Sequence, residues 1–147
     1  TIVQDYIYES MLENADAPIE LFHGYTYSGH PVACAAALAT LDIYKEEGLF
    51  EHAGEQAPKI EKAAHSLKGT KHVIDIRNLG VIAAIELEPR GNAVGARGFE
   101  VMKKAWDLGL MVRANGDTLA FSPPLIVSDA QIDEMFTTVK SALEQVD

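Results

Sequence analysis

Two stretches of this chain carry residue types that could do chemistry. The first is His23 to Pro31, HGYTYSGHP. Its glycines let the backbone approach a ligand, the hydroxyls of Tyr25, Thr26, Tyr27 and Ser28 can donate to anionic oxygens, and Pro31 suits the first turn of a following helix. A helix N-terminus attracts anions through its unpaired amides and its dipole, so the segment holds the parts of a phosphate site. The same residues also describe an ordinary glycine-bearing loop with a serine helix cap, and the residues alone leave both readings open. His23 and His30 have no third ligand beside them, so local hydrogen bonds are expected of them rather than a metal.

The second stretch centres on Arg113. Asn115-Gly116 is the dipeptide preferred in two-residue type I′ hairpins, and that turn puts Arg113 opposite Thr118 on a face shared with Met111 and Ala120. A guanidinium among small and apolar neighbours near a hairpin tip can form a two-pronged pair with a carboxylate ligand. A surface arginine paired with Asp117 or a helix carboxylate is the other reading. Arg77, Arg90 and Arg97 have less distinctive settings. No G-x-S-x-G elbow marks a nucleophile, and Cys34, inside an alanine-rich segment, is expected to be a packed, inert thiol.

The elements that must position these residues can be read from punctuation and period. A short helix is expected over Tyr6 to Asn14, ended before Pro18, with a brief strand at Ile19 to Phe22. A helix follows Pro31, with Lys45 and Gly48 as its stop signals, and a second runs from Leu49 to Leu67 with Pro58 questioning its continuity. VIDIRNLG and VIAAIELEP, parted at Asn78 to Gly80, read as strands. Gly91 to Gly98 reads as loop, Phe99 to Leu108 as a helix with Phe99, Met102 and Trp106 at helical spacing, and Leu110 to Phe121 as the hairpin, stopped by Pro123-Pro124. Ser128 or Asp129 caps a final helix whose apolar face holds Ile132, Met135, Phe136, Val139 and Leu143. Trp106, Tyr44 and Phe136 are expected in the core. The fold class is α+β, helices packed on a small, mostly antiparallel sheet.

A chain of 147 residues, 48% hydrophobic and 23% charged, suits one domain with a real core. Its formal net charge of −10 repels a phosphate backbone, and no basic stripe offsets it, which argues against nucleic acid as a partner. One cysteine cannot build a disulfide framework, so a reducing, cytoplasmic setting is expected. No apolar run nears the roughly 18 residues of a membrane helix. The opening Thr1, without a leader, suggests a start inside a larger protein.

Two segments taken together, HGYTYSGHPVACAAALA and GLMVRANGDTLAFSPPLIVS, resemble the class III (ω-amino acid) aminotransferases, and the resemblance extends over nearly the whole chain. The wording is similar to the ω-amine or β-alanine:pyruvate branch, through Tyr27 to His30 and the aspartate of the NGD turn. The resemblance implies a carboxy-terminal fragment of a fold-type I enzyme that uses pyridoxal 5'-phosphate. Residues 1–30 would end its large domain and carry the phosphate-contact loop, and residues 31–147 would form the small domain with its linking helix. It implies that Thr26 binds the phosphate of the cofactor held by the other subunit of a homodimer, that Tyr25 supplies a backbone amide there, and that Arg113 is a mobile arginine. Such an arginine pairs with a substrate carboxylate and swings aside for amines lacking one. Partners would be small-molecule amines and keto acids.

The resemblance also shows what is missing. Transamination needs a lysine to hold the cofactor and a carboxylate to keep its ring nitrogen protonated. The family draws both from the large domain, and none of the eight lysines here stands in a matching context. The chain alone is therefore expected to be inactive, and to self-associate through apolar surface on Ile2 to Phe22 and the alanine-rich helix. A 4-aminobutyrate-type or other class III transaminase, and a non-enzymatic α+β binding module, are the alternatives.

Overall fold

A computed structural model of the chain describes residues 3–15 and 26–147. It divides into two compact units, residues 1–40 and 41–147. The strand expected at Ile19 to Phe22 lies outside the described residues.

In the first unit, α1 spans Asp5–Glu13, close to the expected helix, with Asp5 placed favourably for the dipole of its first turn. Helix α2 spans Pro31–Glu46, and the boundary between the units falls within it. Pro31 opens it because the amide proline lacks has no intrahelical partner at that position. The residue at the cap is His30, whose carbonyl accepts from the Cys34 amide at 3.0 Å, so Ser28 is not the cap. No residue of α2 is buried, and Cys34 is exposed, contrary to the packed thiol expected. Small residues permit a close neighbour, but they do not supply one. Exposed apolar residues gather on α1, at Tyr6, Tyr8 and Leu12, and on the first unit's part of α2, at Val32 and Leu38.

The second unit is a four-stranded antiparallel sheet with three helices packed together and against its strands. Its elements are α3 (Leu49–His65), β1 (Val73–Leu79), β2 (Ile82–Leu87), α4 (Ala96–Asp107), β3 (Arg113–Asn115), β4 (Thr118–Phe121) and α5 (Asp129–Glu144). The strands lie in the order β1-β2-β4-β3. Pro58 leaves α3 unbroken. Both Pro58 and Gly54, whose carbonyl loses its donor, are exposed, so water can satisfy the freed oxygen.

Alternation along the strands separates two faces. Leu119 pairs with Ile85, and Phe121 with Ala83, on the buried face. Ile60 and Leu67 from the α3 segment, Val101 and Ala105 from α4, and Ile132, Phe136, Val139 and Leu143 from α5 complete that core. Full burial of each large side chain contributes about 1.5–3 kcal/mol. Phe136 stacks at a tilt on Phe121, ring centroids 5.1 Å apart. Ser128 caps α5 through a reciprocal capping box with Gln131, which fixes where this helix starts.

Helix α4 departs from expectation twice. It begins at Ala96, inside the stretch read as loop, and it turns Gly98, Val101 and Ala105 inward, leaving Phe99 and Trp106 largely exposed. Trp106 is therefore not core. The apolar spacing of Phe99, Met102 and Trp106 is helical in period, but the buried stripe is rotated by about one residue, because small residues fit closest to the sheet. Tyr44 is half-buried, edge-on to Phe50 at 5.3 Å.

Candidate functional site

Thr26 lies in a turn formed by residues 26–29, and its side chain is exposed. Just after Thr26 the His30 amide closes the turn Tyr27–His30 on the Tyr27 carbonyl at 3.2 Å, and Gly29, at φ +71°, takes its third position, where a type II turn demands positive φ. The turn delivers the chain directly into α2, whose first turn has no acidic residue. An exposed hydroxyl a few residues ahead of a helix whose first turn carries no carboxylate suits an anion's oxygens. Tyr25 and His23 lie outside the described residues.

Arg113 begins β3, at the edge of the sheet, on the face opposite the core. The hairpin register differs from expectation. Asn115 pairs with Thr118, so the two turn residues are Gly116 and Asp117, and Arg113 stands opposite Ala120 rather than Thr118. A shift of two residues keeps every side chain on its face, so the neighbours on that face remain small or apolar. The row runs Arg113, Ala120, Ala84, Arg77 across the four strands. At its far end Arg77 donates to Asp75 and Glu86, and these hydrogen bonds hold its guanidinium charged. Arg113 is exposed and has no ion pair among the described residues. It lines an open cleft of about 450 Å³ with Met111, Ala120, Ser122 and Pro123.

Asp117 is not Arg113's partner. It is buried, and its carboxylate accepts the Gly95 amide at 2.6 Å and the Gly98 amide at 2.9 Å, at the N-terminus of α4. Sequence reasoning missed this contact because the partners are about twenty residues away and no local pattern announces it. Arg97, read as a loop residue, is buried in the first turn of α4, where it donates to the backbone oxygens of Glu88 and Asp147. Arg90 donates to the same Asp147 oxygen and pairs with Glu100 at 2.9 Å. His72, at φ +68°, keeps a buried Nε2 without a partner. Burial, then the charges of Arg97 and Lys71, hold its pKa below the usual 6.5. Among the described residues, no cluster of three or more His, Cys, Asp or Glu side chains could hold a metal, and no helix is long and apolar enough to cross a membrane.

The sequence pattern of the family described as aminotransferase class-III matches residues 2–143. An omega-aminotransferase of Caulobacter vibrioides is 53% identical over 96% of the chain, which spans 32% of that relative. A beta-alanine–pyruvate aminotransferase of Pseudomonas aeruginosa is 43% identical over 99% of the chain, covering 33% of its own length. In structure, the chain resembles a thermostable omega transaminase from Pseudomonas jessenii with a TM-score of 0.76, at 36% identity, over 85% of this chain and 29% of that one. The chain thus spans about a third of the relatives it matches.

Proposed function

The chain belongs to the class-III aminotransferase family, and from that premise we propose that it is the carboxy-terminal part of an ω-amino acid or amine:pyruvate transaminase dependent on pyridoxal 5'-phosphate. Residues 1–30 end the large domain and residues 31–147 form the small one. The enzyme moves an amino group from donor to cofactor and then to a keto acid. Names of the similar proteins, ω-aminotransferase and β-alanine–pyruvate aminotransferase, support this branch.

The observation that carries the site reading is Arg113: an exposed guanidinium without an ion pair among the described residues, on an alanine-floored sheet face, lining a cleft. It binds the substrate carboxylate by a two-pronged charged pair, and its freedom lets it turn away when the amine has none. Thr26 donates its hydroxyl to the cofactor phosphate beside the start of α2, with the Tyr25 amide as a second donor. In a homodimer with shared sites, that phosphate belongs to the partner subunit's cofactor. The bound cofactor supplies the electron sink for bond breaking at the substrate carbon. A lysine outside this chain holds the cofactor, so the chain alone is inactive. Its single cysteine fits a reducing, cytoplasmic setting.

The test is Arg113→Ala in the full-length enzyme. Keto-acid kcat/KM should fall by about tenfold or more, the loss of a charged hydrogen-bonded pair, while amines lacking a carboxylate change by less than about twofold. Equal loss for both substrates would refute the role of Arg113. A panel including 4-aminobutyrate then fixes the donor.

A further inference from the structure

Resting on the reading of Arg113 as the carboxylate-binding residue, we infer that Asp117 is its positioning residue: the Asp117 carboxylate selects the hairpin register that puts Arg113 across from Ala120. Two turns compete at the tip. Asn115-Gly116 is the type I′ turn that local preference favours. Gly116-Asp117 is the turn observed, with Gly116 at φ +60° in its first position. These registers differ by two residues, so both bury the same side chains, and core packing along the faces discriminates little between them.

The selection therefore lies at the tip. Asp117 accepts two amides of α4, from Gly95 at 2.6 Å and Gly98 at 2.9 Å. These are unpaired donors at the positive end of a helix, so a buried carboxylate there is doubly favoured. Close approach is part of the lock: a Cβ on Gly98 would clash with the Gly116 oxygen and stand 2.9 Å from the Asp117 Cα. The tip is thereby docked on α4 with Gly116 and Asp117 as its turn. In the alternative register Arg113 would face Thr118, displaced along the strand by two residues, or roughly 7 Å. That distance is far beyond what a hydrogen-bonded carboxylate tolerates.

The experiment uses the full-length holoenzyme and three variants beside Arg113→Ala. Asp117→Asn keeps the shape but removes one acceptor, and should raise keto-acid KM by about tenfold while changing kcat for carboxylate-free amines by less than about twofold. Adding Asn115→Thr should restore the keto-acid KM. A β-branched residue resists the positive φ of the competing turn yet suits the strand position that Asn115 holds, so this rescue reads register and not general stability. If Asp117→Asn does not yield folded enzyme, Gly98→Ala attacks the same lock from the helix side, with the same expected KM shift. Residue-resolved hydrogen exchange reads the lock without reference to Arg113. The Gly95 and Gly98 amides should be protected in the parent and lose about tenfold or more of that protection in Asp117→Asn. An unchanged keto-acid KM with Arg113→Ala damaging, failed rescue by Asn115→Thr, or unchanged exchange would each overturn the positioning role. A neutral Arg113→Ala would instead refute the substrate reading, leaving the register to be judged by exchange.

Discussion

The Gly98 amide donates to the Asp117 carboxylate at 2.9 Å, joining the first turn of α4 to a hairpin tip 19 residues further along the chain. Gly98 serves this contact through what it lacks. Its backbone lies so close to the Gly116 carbonyl that any side chain must push the two elements apart.

Gly98→Ala is accordingly expected to destabilise the protein by about 1–3 kcal/mol, the usual range for overpacking, since the opposing atoms are backbone and cannot rotate away. Chemical denaturation of the full-length enzyme measures it. A change below about 0.5 kcal/mol would mean that the close approach relaxes freely.

Thr26→Ala should weaken retention of pyridoxal phosphate by roughly tenfold, the loss of one hydrogen bond to a charged group. Cofactor absorbance after dialysis reads this directly. Because the Thr26 side chain is exposed and Gly29 with Pro31 shape the turn and helix start, the fold should survive. Unaltered retention would remove Thr26 from the phosphate site.

His72 predicts a pH dependence. Its folded pKa is below 6.5, so as pH falls through 6.5 the unfolded chain takes up the proton first, and stability drops. The contribution is complete above 6.5 and is lost below it, until the folded imidazole also protonates. His72→Asn keeps a residue tolerant of φ +68° and should flatten the urea midpoint between about pH 7.5 and about pH 5. An unchanged slope in that variant would assign the dependence elsewhere.

Most elements were legible because their signals are local. Pro31 and Ser128 start their helices through the backbone donors that each lacks or satisfies, and Pro123-Pro124 ends β4 because proline cannot continue a ladder. The α5 stripe of Ile132, Phe136, Val139 and Leu143 buries as its period dictates. Trp106 misled because period identifies a helix without fixing which of two adjacent stripes faces the sheet. Cys34 misled because a stripe of small residues cannot say what, if anything, packs on it.

The site divides in the same way. Thr26 and Arg113 stood out from residue chemistry and family resemblance, and strand alternation alone put Arg113 on the side with Met111 and Ala120. Alternation repeats every two residues, so it could not tell Ala120 from Thr118 as the residue opposite. Local turn preference pointed to Asn115-Gly116. The contact between Asp117 and the amides of Gly95 and Gly98 reverses that preference, and a buried carboxylate on a helix's unpaired donors outweighs a turn propensity. The sequence by itself determined most of the described elements, the alternation of faces along the hairpin and the residues able to do chemistry. Only the tertiary structure decided the register that places Arg113, because the residues that choose it are brought together by folding and not by neighbourhood in the chain.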